Sequence, residues 1–258
     1  MTAAALELAA TTGVHAQPSE ADLAKQLSNP IASLISVPFQ NNYDFDVGTD
    51  DGFRYTLNVQ PVIPIGLNER WNMISRTIVP IVYQAGVVPG QGDQFGLGDA
   101  VQSLFFSPKA PTAGGLIWGV GPAALLPTAT DDLLGSDQWA LGPTAVALKQ
   151  QGEWTYGVLV NHLESVSGDD DGTEVRSTFL QPFLALAKGS VTYSFNFEGT
   201  FDHETDDWTL PLNLAVSKVT KVGDQLVSFG GGVKFYVDAP VGAPNWGLRA
   251  NITLLFPK

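Results

Sequence analysis

The residues best suited to chemistry lie two positions apart. Gln40, Asn42 and Asp44 share one parity, as do Arg54, Asn58 and Gln60, Asn72 and Arg76, Asn196 and Glu198, and Arg249 and Asn251. Asn213 stands on the polar parity of its own segment. Period-two spacing puts side chains on one face of a strand. Guanidinium, amide and carboxylate groups gathered on such a face can fill a closed interior with ion pairs and amide hydrogen bonds. They can also line a passage, in which Arg54, Arg76 and Arg249 would select anions or polarise a phenolate. Asp44 and Arg54 are equidistant from the centre of one turn, which places them for pairing across it.

Covalent chemistry has weaker support. Ser165 with His162 and Asn161 resembles the nucleophile, base and orienting residue of an outer-membrane phospholipase. His162, however, shares the apolar parity of Val158 and Val160 near a strand end, so an interfacial histidine is expected. His15, His162 and His203 are too dispersed along the chain to suggest a metal site. With no cysteine, disulfides, thiol catalysis and Cys-based metal sites are all removed. No catalytic residue, metal or cofactor is expected. Gly230-Gly231-Gly232 lacks a following Lys-Ser/Thr, so it reads as a kink or close approach within a strand, not as a phosphate loop.

The elements that must position the polar parity are long strands. Over 191–217, Val191, Tyr193, Phe195, Phe197 and Phe201 alternate with Thr192, Ser194, Asn196, Glu198 and Asp202. After His203-Glu204-Thr205-Asp206-Asp207 the alternation resumes, with Trp208, Leu210, Leu212, Leu214 and Val216 on the apolar face. Two such runs around a short acidic loop make an antiparallel hairpin. Each is about twice the usual strand length of ~5–6 residues, and a tilted membrane-spanning strand needs ~9–11. The expected fold is all-β: a single antiparallel transmembrane β-barrel with a short N-terminal helix. Similar runs at 35–46, 53–65, 71–84, 98–108, 115–127, 138–149, 154–165, 174–187, 225–237 and 246–257 bring the total to about 12 strands, an even number as bacterial barrels have. Runs 98–108, 115–127 and 138–149 alternate poorly and are rich in small residues, so their faces stay unassigned. Short connections, three of them with Lys, alternate with longer and generally more acidic ones, as periplasmic turns alternate with outer loops. Phe53, Trp71, Tyr83, Trp118, Trp139, Trp154, Trp208, Trp246 and Phe256 all fall at or near strand ends, where membrane-interface aromatics gather. Pro38, Pro61, Pro64, Pro80, Pro122, Pro143, Pro182 and Pro211 lie inside strands and predict interrupted wall pairing, bulges or lateral openings. The rival fold is a soluble sandwich or lipocalin-like barrel, which puts the apolar parity inside.

Composition agrees with the membrane reading. Hydrophobic residues make up 44% and charged residues 15% of the 258, against ~25% charged in a soluble domain. The absence of any apolar run of ~20 residues excludes a helical span. A formal charge of −13 argues against nucleic acid as a partner. The acids cluster at 50–51, 131–132, 169–171 and 206–207, all in predicted loops. Solvated loop tips are the favoured reading, with divalent cations bridging the loops to lipopolysaccharide as the sharper one. Residues 1–16 read as a degenerate or truncated signal peptide, since Val14-His15-Ala16 suits cleavage although a basic start is missing. Residues 17–33 form a helical segment able to plug a lumen, with Ser19 as cap, Asp22 as its reciprocal partner and Pro30 as the stop. The barrel then occupies 34–258.

Three stretches carry a more specific likeness: ADLAKQLSNPIASLISVPFQNNYDFDVG, WGVGPAALLPTATDDLLGSDQWALGPTAVALKQQGEWTYGVLVNH and the ending NITLLFPK. From Ala21 to Lys258 the chain resembles a bacterial outer-membrane family whose members are labelled transporters, meta-pathway phenol-degradation proteins or, misleadingly, neuromedin U. The resemblance implies a one-domain barrel in the bacterial outer membrane. Its ending is similar to the signal read by the barrel-assembly machinery, although Pro257-Lys258 follow Phe256. The expected function is a passive channel for small, hydrophobic or aromatic solutes, with outer-membrane lipids and lipopolysaccharide as surroundings. The alternatives are a structural or adhesive barrel with a filled lumen and, third, an outer-membrane lipid hydrolase.

Overall fold

Alternating sequence closes into a ring. The computed structural model describes residues 18–48, 51–168 and 172–257, so the expected signal peptide lies outside the described residues. Twelve antiparallel strands follow one another around a closed barrel: β1 (Ile35–Val47), β2 (Gly52–Val59, continued by Val62–Gly66), β3 (Trp71–Ala85), β4 (Gln94–Leu97 and Ala100–Pro108), β5 (Leu116–Leu126), β6 (Gln138–Gln151), β7 (Trp154–Gly168), β8 (Arg176–Lys188), β9 (Val191–Phe197 and Gly199–Asp202), β10 (Asp207–Val222), β11 (Gln225–Asp238) and β12 (Trp246–Phe256). The ring closes where β1 pairs β12, from Ile35↔Phe256 to Phe45↔Trp246. Closure leaves no open sheet edge.

The two ends differ as expected. Tight turns join β6 to β7, β8 to β9 and β10 to β11. Gly189 and Gly223 supply the positive φ that two-residue hairpins require. Longer connections (86–93, 127–137, 239–245) gather at the other end.

The apolar parity faces outward. Tyr193, Leu214, Phe229 and Ile252 are 50%, 45%, 45% and 43% exposed, which overturns the soluble-barrel alternative, because that fold would bury them. The nine strand-end aromatics share this outward parity. Trp71 meets Trp118 edge-on at 5.9 Å near the tight turns, and Phe45 stacks on Trp246 at 4.5 Å near the longer connections.

Inside, the helix α1 (Glu20–Leu27) closes the end with the tight turns. It carries the full capping box, with Asp22 N–H donating to the Ser19 hydroxyl and Ser19 N–H to the Asp22 carboxylate. Leu23 and Ala24 pack on Leu34, Val219 and Leu255, against β10 to β12. Further along, Ile31 packs on Ile74, Phe105, Val146, Leu148 and Leu159, on the opposite wall. Residues 20–34 therefore bridge the lumen.

In-strand prolines interrupt the ladders as the sequence predicts. The β4–β5 ladder skips Leu104 and Phe105 opposite Gly121 and Pro122. The β6–β7 ladder skips Gly142 and Pro143 opposite His162 and Leu163. The β8–β9 ladder skips Gln181 and Pro182 opposite Phe197 and Glu198. Register is the same on either side of each of these gaps, so Pro122, Pro143 and Pro182 remove rungs without shifting the strands, whereas Pro211 marks a register shift against β11. At the glycine triplet no kink is needed: a Cβ on Gly232 would overlap the Leu214 carbonyl oxygen, so the backbones of β10 and β11 approach closely there.

Candidate functional site

The polar parity converges inside the barrel. Arg249, on β12, reaches across to Glu198 of β9 with two parallel hydrogen bonds of 2.8 Å, from Nη1 to Oε1 and Nη2 to Oε2. Its Nε donates to Asn42 Oδ1 at 2.8 Å. Gln40 packs its amide between Gln60 and Arg249, and Arg76 Nη2 donates to Gln60 Oε1 at 3.0 Å. Gln181 reaches Glu198 at 3.4 Å, and Asn213 donates to Asn196 at 2.9 Å. Asn58 lines the same space, and Asn251, paired in register with Gln40, is half-buried beside it with its Oδ1 turned away from solvent. Asn72 also points inward, but near the tight turns, where its amide holds the Ser33 hydroxyl of the bridging segment at 3.1 Å. Gln150 likewise donates to the Lys25 carbonyl at the end of α1.

One expected pair does not form. Asp44 and Arg54 are register partners, yet Asp44 takes Lys234 Nζ at 2.7 Å and the Tyr236 hydroxyl at 3.1 Å. Arg54 turns to Gln84 Oε1 at 2.8 Å instead. The cause lies on the far side of β1: β12 contributes Gly247 opposite Asp44, and the missing side chain lets Lys234 and Tyr236 reach past it from β11. Lys234, Tyr236, Gln84 and Gln181 are the site residues that sequence reasoning missed. The signal for Lys234 was present, since it shares the parity of Ser228, Gly230 and Gly232 between Val233 and Phe235.

The polar residues do not line the whole lumen. Its β4–β8 side presents Phe105, Val146, Leu148, Leu159, Leu163 and Phe179. Between the two sides lies a cavity of about 300 Å³, walled by Arg76, Ile78, Glu198, Arg249, Gln40 and Gln60 on one side and by Val101, Phe105, Leu159 and Phe179 on the other. Two more cavities, of about 260 and 170 Å³, flank the bridging segment. All three share Arg76. Toward the long connections, Arg54 lines a fourth space of about 430 Å³ under Leu133, Leu134 and Ser136 of the 127–137 connection. That connection is pinned by Asp99, which accepts from Ser136 N–H at 2.7 Å and from Ala129 N–H at 3.2 Å.

The hydrolase constellation is not assembled. Asn161 points into the 300 Å³ cavity, the Ser165 hydroxyl accepts from Val175 N–H at 2.8 Å, and His162 lies on the outer face. The histidines are less dispersed than their numbering suggests. Thr178 is the cross-strand partner of His162, and its hydroxyl lies 2.9 Å from ring nitrogens of both His162 and His203. Neighbouring strands thus bring together residues 41 positions apart, a pairing that parity alone cannot reveal. Among the described residues no three His, Cys, Asp or Glu side chains converge as a metal site would require.

A closed twelve-stranded barrel, apolar outside and bridged within, defines the fold of an outer-membrane β-barrel. No family model and no curated protein matches the chain. Among solved structures it is similar to the COG4313 outer membrane channel from Pseudomonas putida F1, with a TM-score of 0.68 and 14% identity over 87% of this chain and 96% of that one. It also matches outer membrane phospholipase A from Escherichia coli at a TM-score of 0.47 and 11% identity, covering 87% of this chain and 99% of that one. The first likeness establishes the fold; the second is too remote to bear on function.

Proposed function

We propose that the protein is a channel of the bacterial outer membrane through which small solutes diffuse, with residues 20–34 restricting its lumen. One observation carries this reading: inside an outwardly apolar closed barrel, two cavities flank the bridging segment and a third lies beyond it, all three bordered by a single arginine, Arg76. A packed structural barrel has no use for such spaces. The Pseudomonas putida protein of like fold is described as an outer membrane channel, and the resemblance to the transporter and phenol-degradation family points the same way. Passage involves no energy source and no covalent step. Outer-membrane lipids and lipopolysaccharide surround the apolar band, and the strand ending in Phe256 engages the barrel-assembly machinery.

A second route is favoured by one seam of the wall. An apolar groove of about 570 Å³ on the outer face, lined by Tyr156, Val158, Pro182, Leu184 and Phe197, lies over the gap in the β8–β9 ladder. It shares Phe183, Leu184 and Phe195 with the 260 Å³ cavity beside α1. Apolar solutes would leave the lumen sideways there.

Single-channel conductance of the refolded protein in planar bilayers, with and without residues 17–33, tests the central route. Because the chain has no cysteine, the pair Ser33→Cys and Asn72→Cys supplies a reversible lock. Conductance that rises on truncation, and on reduction of the locked pair, is the expected result. Silence in every form would close the central route and leave the groove at Pro182 as the path to test.

A further inference from the structure

Within a chain of net charge −13, the lumen gathers cations at its centre, where Arg76 and Arg249 stand against the single carboxylate of Glu198. Its two ion pairs, Lys234–Asp44 and Arg249–Glu198, neutralise themselves. Among the described residues Arg54 and Arg76 belong to no ion pair. Arg54 still faces an open space at the long-connection end. Arg76 is deeper, and its one side-chain hydrogen bond goes to the neutral amide of Gln60. A guanidinium has five N–H donors in a planar fork and stays charged. In an enclosed space its field is weakly screened, so an arriving anion gains more there than at the surface.

The surroundings of Arg76 define what else that anion must carry. In the 300 Å³ cavity the guanidinium faces Phe105, Leu159 and Phe179 across the lumen, with Ile78 beside it on its own strand. The neighbouring carboxylate, Glu198, is engaged at both oxygens by Arg249. An inorganic anion would satisfy the fork and leave the apolar wall unused. A neutral hydrocarbon would cover the wall and leave the cation unpaired. A molecule with one carboxylate and a compact apolar body satisfies both.

We propose that Arg76 is the binding residue for an amphipathic monocarboxylate, which sits with its carboxylate on the guanidinium fork and its body against Phe105, Leu159 and Phe179. Because Arg76 also borders both cavities beside α1, the site adjoins the spaces on both sides of the bridging segment. The inference rests on the channel reading for passage, but binding itself requires no conduction.

The test compares benzoate with its neutral isostere benzamide at pH 7, by calorimetric titration of the full chain in detergent. Benzoate should bind more tightly than benzamide by at least about tenfold, the factor that one charge-assisted hydrogen bond is worth. Arg76→Gln should abolish that preference, Arg76→Lys should retain part of it, and Leu159→Ala should weaken benzoate while leaving acetate unchanged. Equal affinity for benzoate and benzamide overturns the proposal. So does an Arg76→Gln protein that folds and keeps the preference. If Arg76→Gln does not fold, the Leu159→Ala comparison of benzoate with acetate decides: equal losses for both ligands overturn the proposal. Conductance separates the two readings. Benzoate binding without conductance in any form keeps this site and removes the central route, whereas conductance without benzoate preference keeps the route and removes the site.

Discussion

On β1, β9, β11 and β12 the inward positions carry Gln40, Asn42, Asp44, Glu198, Lys234 and Arg249, whereas on β4, β6, β7 and β8 the same inward positions carry Phe105, Val146, Leu148, Leu159 and Phe179. Strand geometry is common to both sides, so the difference is one of what holds the wall. The polar side is held by directional bonds between fixed partners, for which a missing partner is costly. The apolar side is held by packing, for which a missing methylene costs in proportion to the space left behind. Residues 20–34 touch both sides, through Leu23 on one and Ile31 on the other. The plug therefore reports on each.

The largest effect is expected on the polar side. Glu198→Gln leaves Arg249 inside the barrel without its carboxylate, and breaking a buried pair from one side costs about 3–5 kcal/mol. Removing both charges together, as Glu198→Leu with Arg249→Met, should cost far less, because no charge is then stranded. Urea unfolding in detergent micelles reads both. Equal losses for the single and double variants would show that the pair acts through packing rather than charge, and the distinction between the two sides would fall.

That contrast also explains what could be read from the sequence. On β1, β2 and β9 to β12 one face is polar and the other apolar, so alternation announces both the strand and its orientation. On β4, β5 and β6 the inward Phe105, Ala123 and Leu148 oppose outward Phe106, Val120 and Leu141. Two apolar faces erase period two, and small residues at Gly119, Gly121 and Gly142 erase it further. The strands at 98–150 were therefore countable from their turns but not orientable. Partner choice was the other gap. Asp44 and Arg54 were placed on one face correctly, yet the choice of Lys234 depended on what β12 omits opposite Asp44, which lies 203 residues away along the chain. The meeting of His162 with His203 had the same cause.

A smaller loss should follow on the apolar side. Leu159→Ala removes a side chain 2% exposed between Ile31, Phe105 and Phe179, for a loss of about 2–5 kcal/mol set by how far the neighbours relax. Charge selectivity of any conductance should not change, since no ionisable group moves. A change in selectivity as large as that of Glu198→Gln would mean that the two sides are coupled through the plug and not independent.

The smallest effect belongs to the cap that starts the plug. The Asp22 carboxyl accepts from the Ser19 hydroxyl at 2.7 Å and from Ser19 N–H at 3.2 Å, and these bonds hold it below its ordinary value of 3.8. A group depressed on folding contributes fully above its unfolded value and loses that contribution as pH falls through the lower folded value. The capping box should therefore be indifferent to pH between 7 and 5, as all its titration lies below about pH 4. Hydrogen exchange over residues 20–27, corrected for intrinsic rates, should show constant protection across that range and a decline only in acid. Asp22→Asn should exchange faster at neutral pH and show no further acid response. Protection that already declines between pH 7 and 5 would place the titrating group outside the cap. The plug would then be held by the charges of the polar side rather than by its own helix.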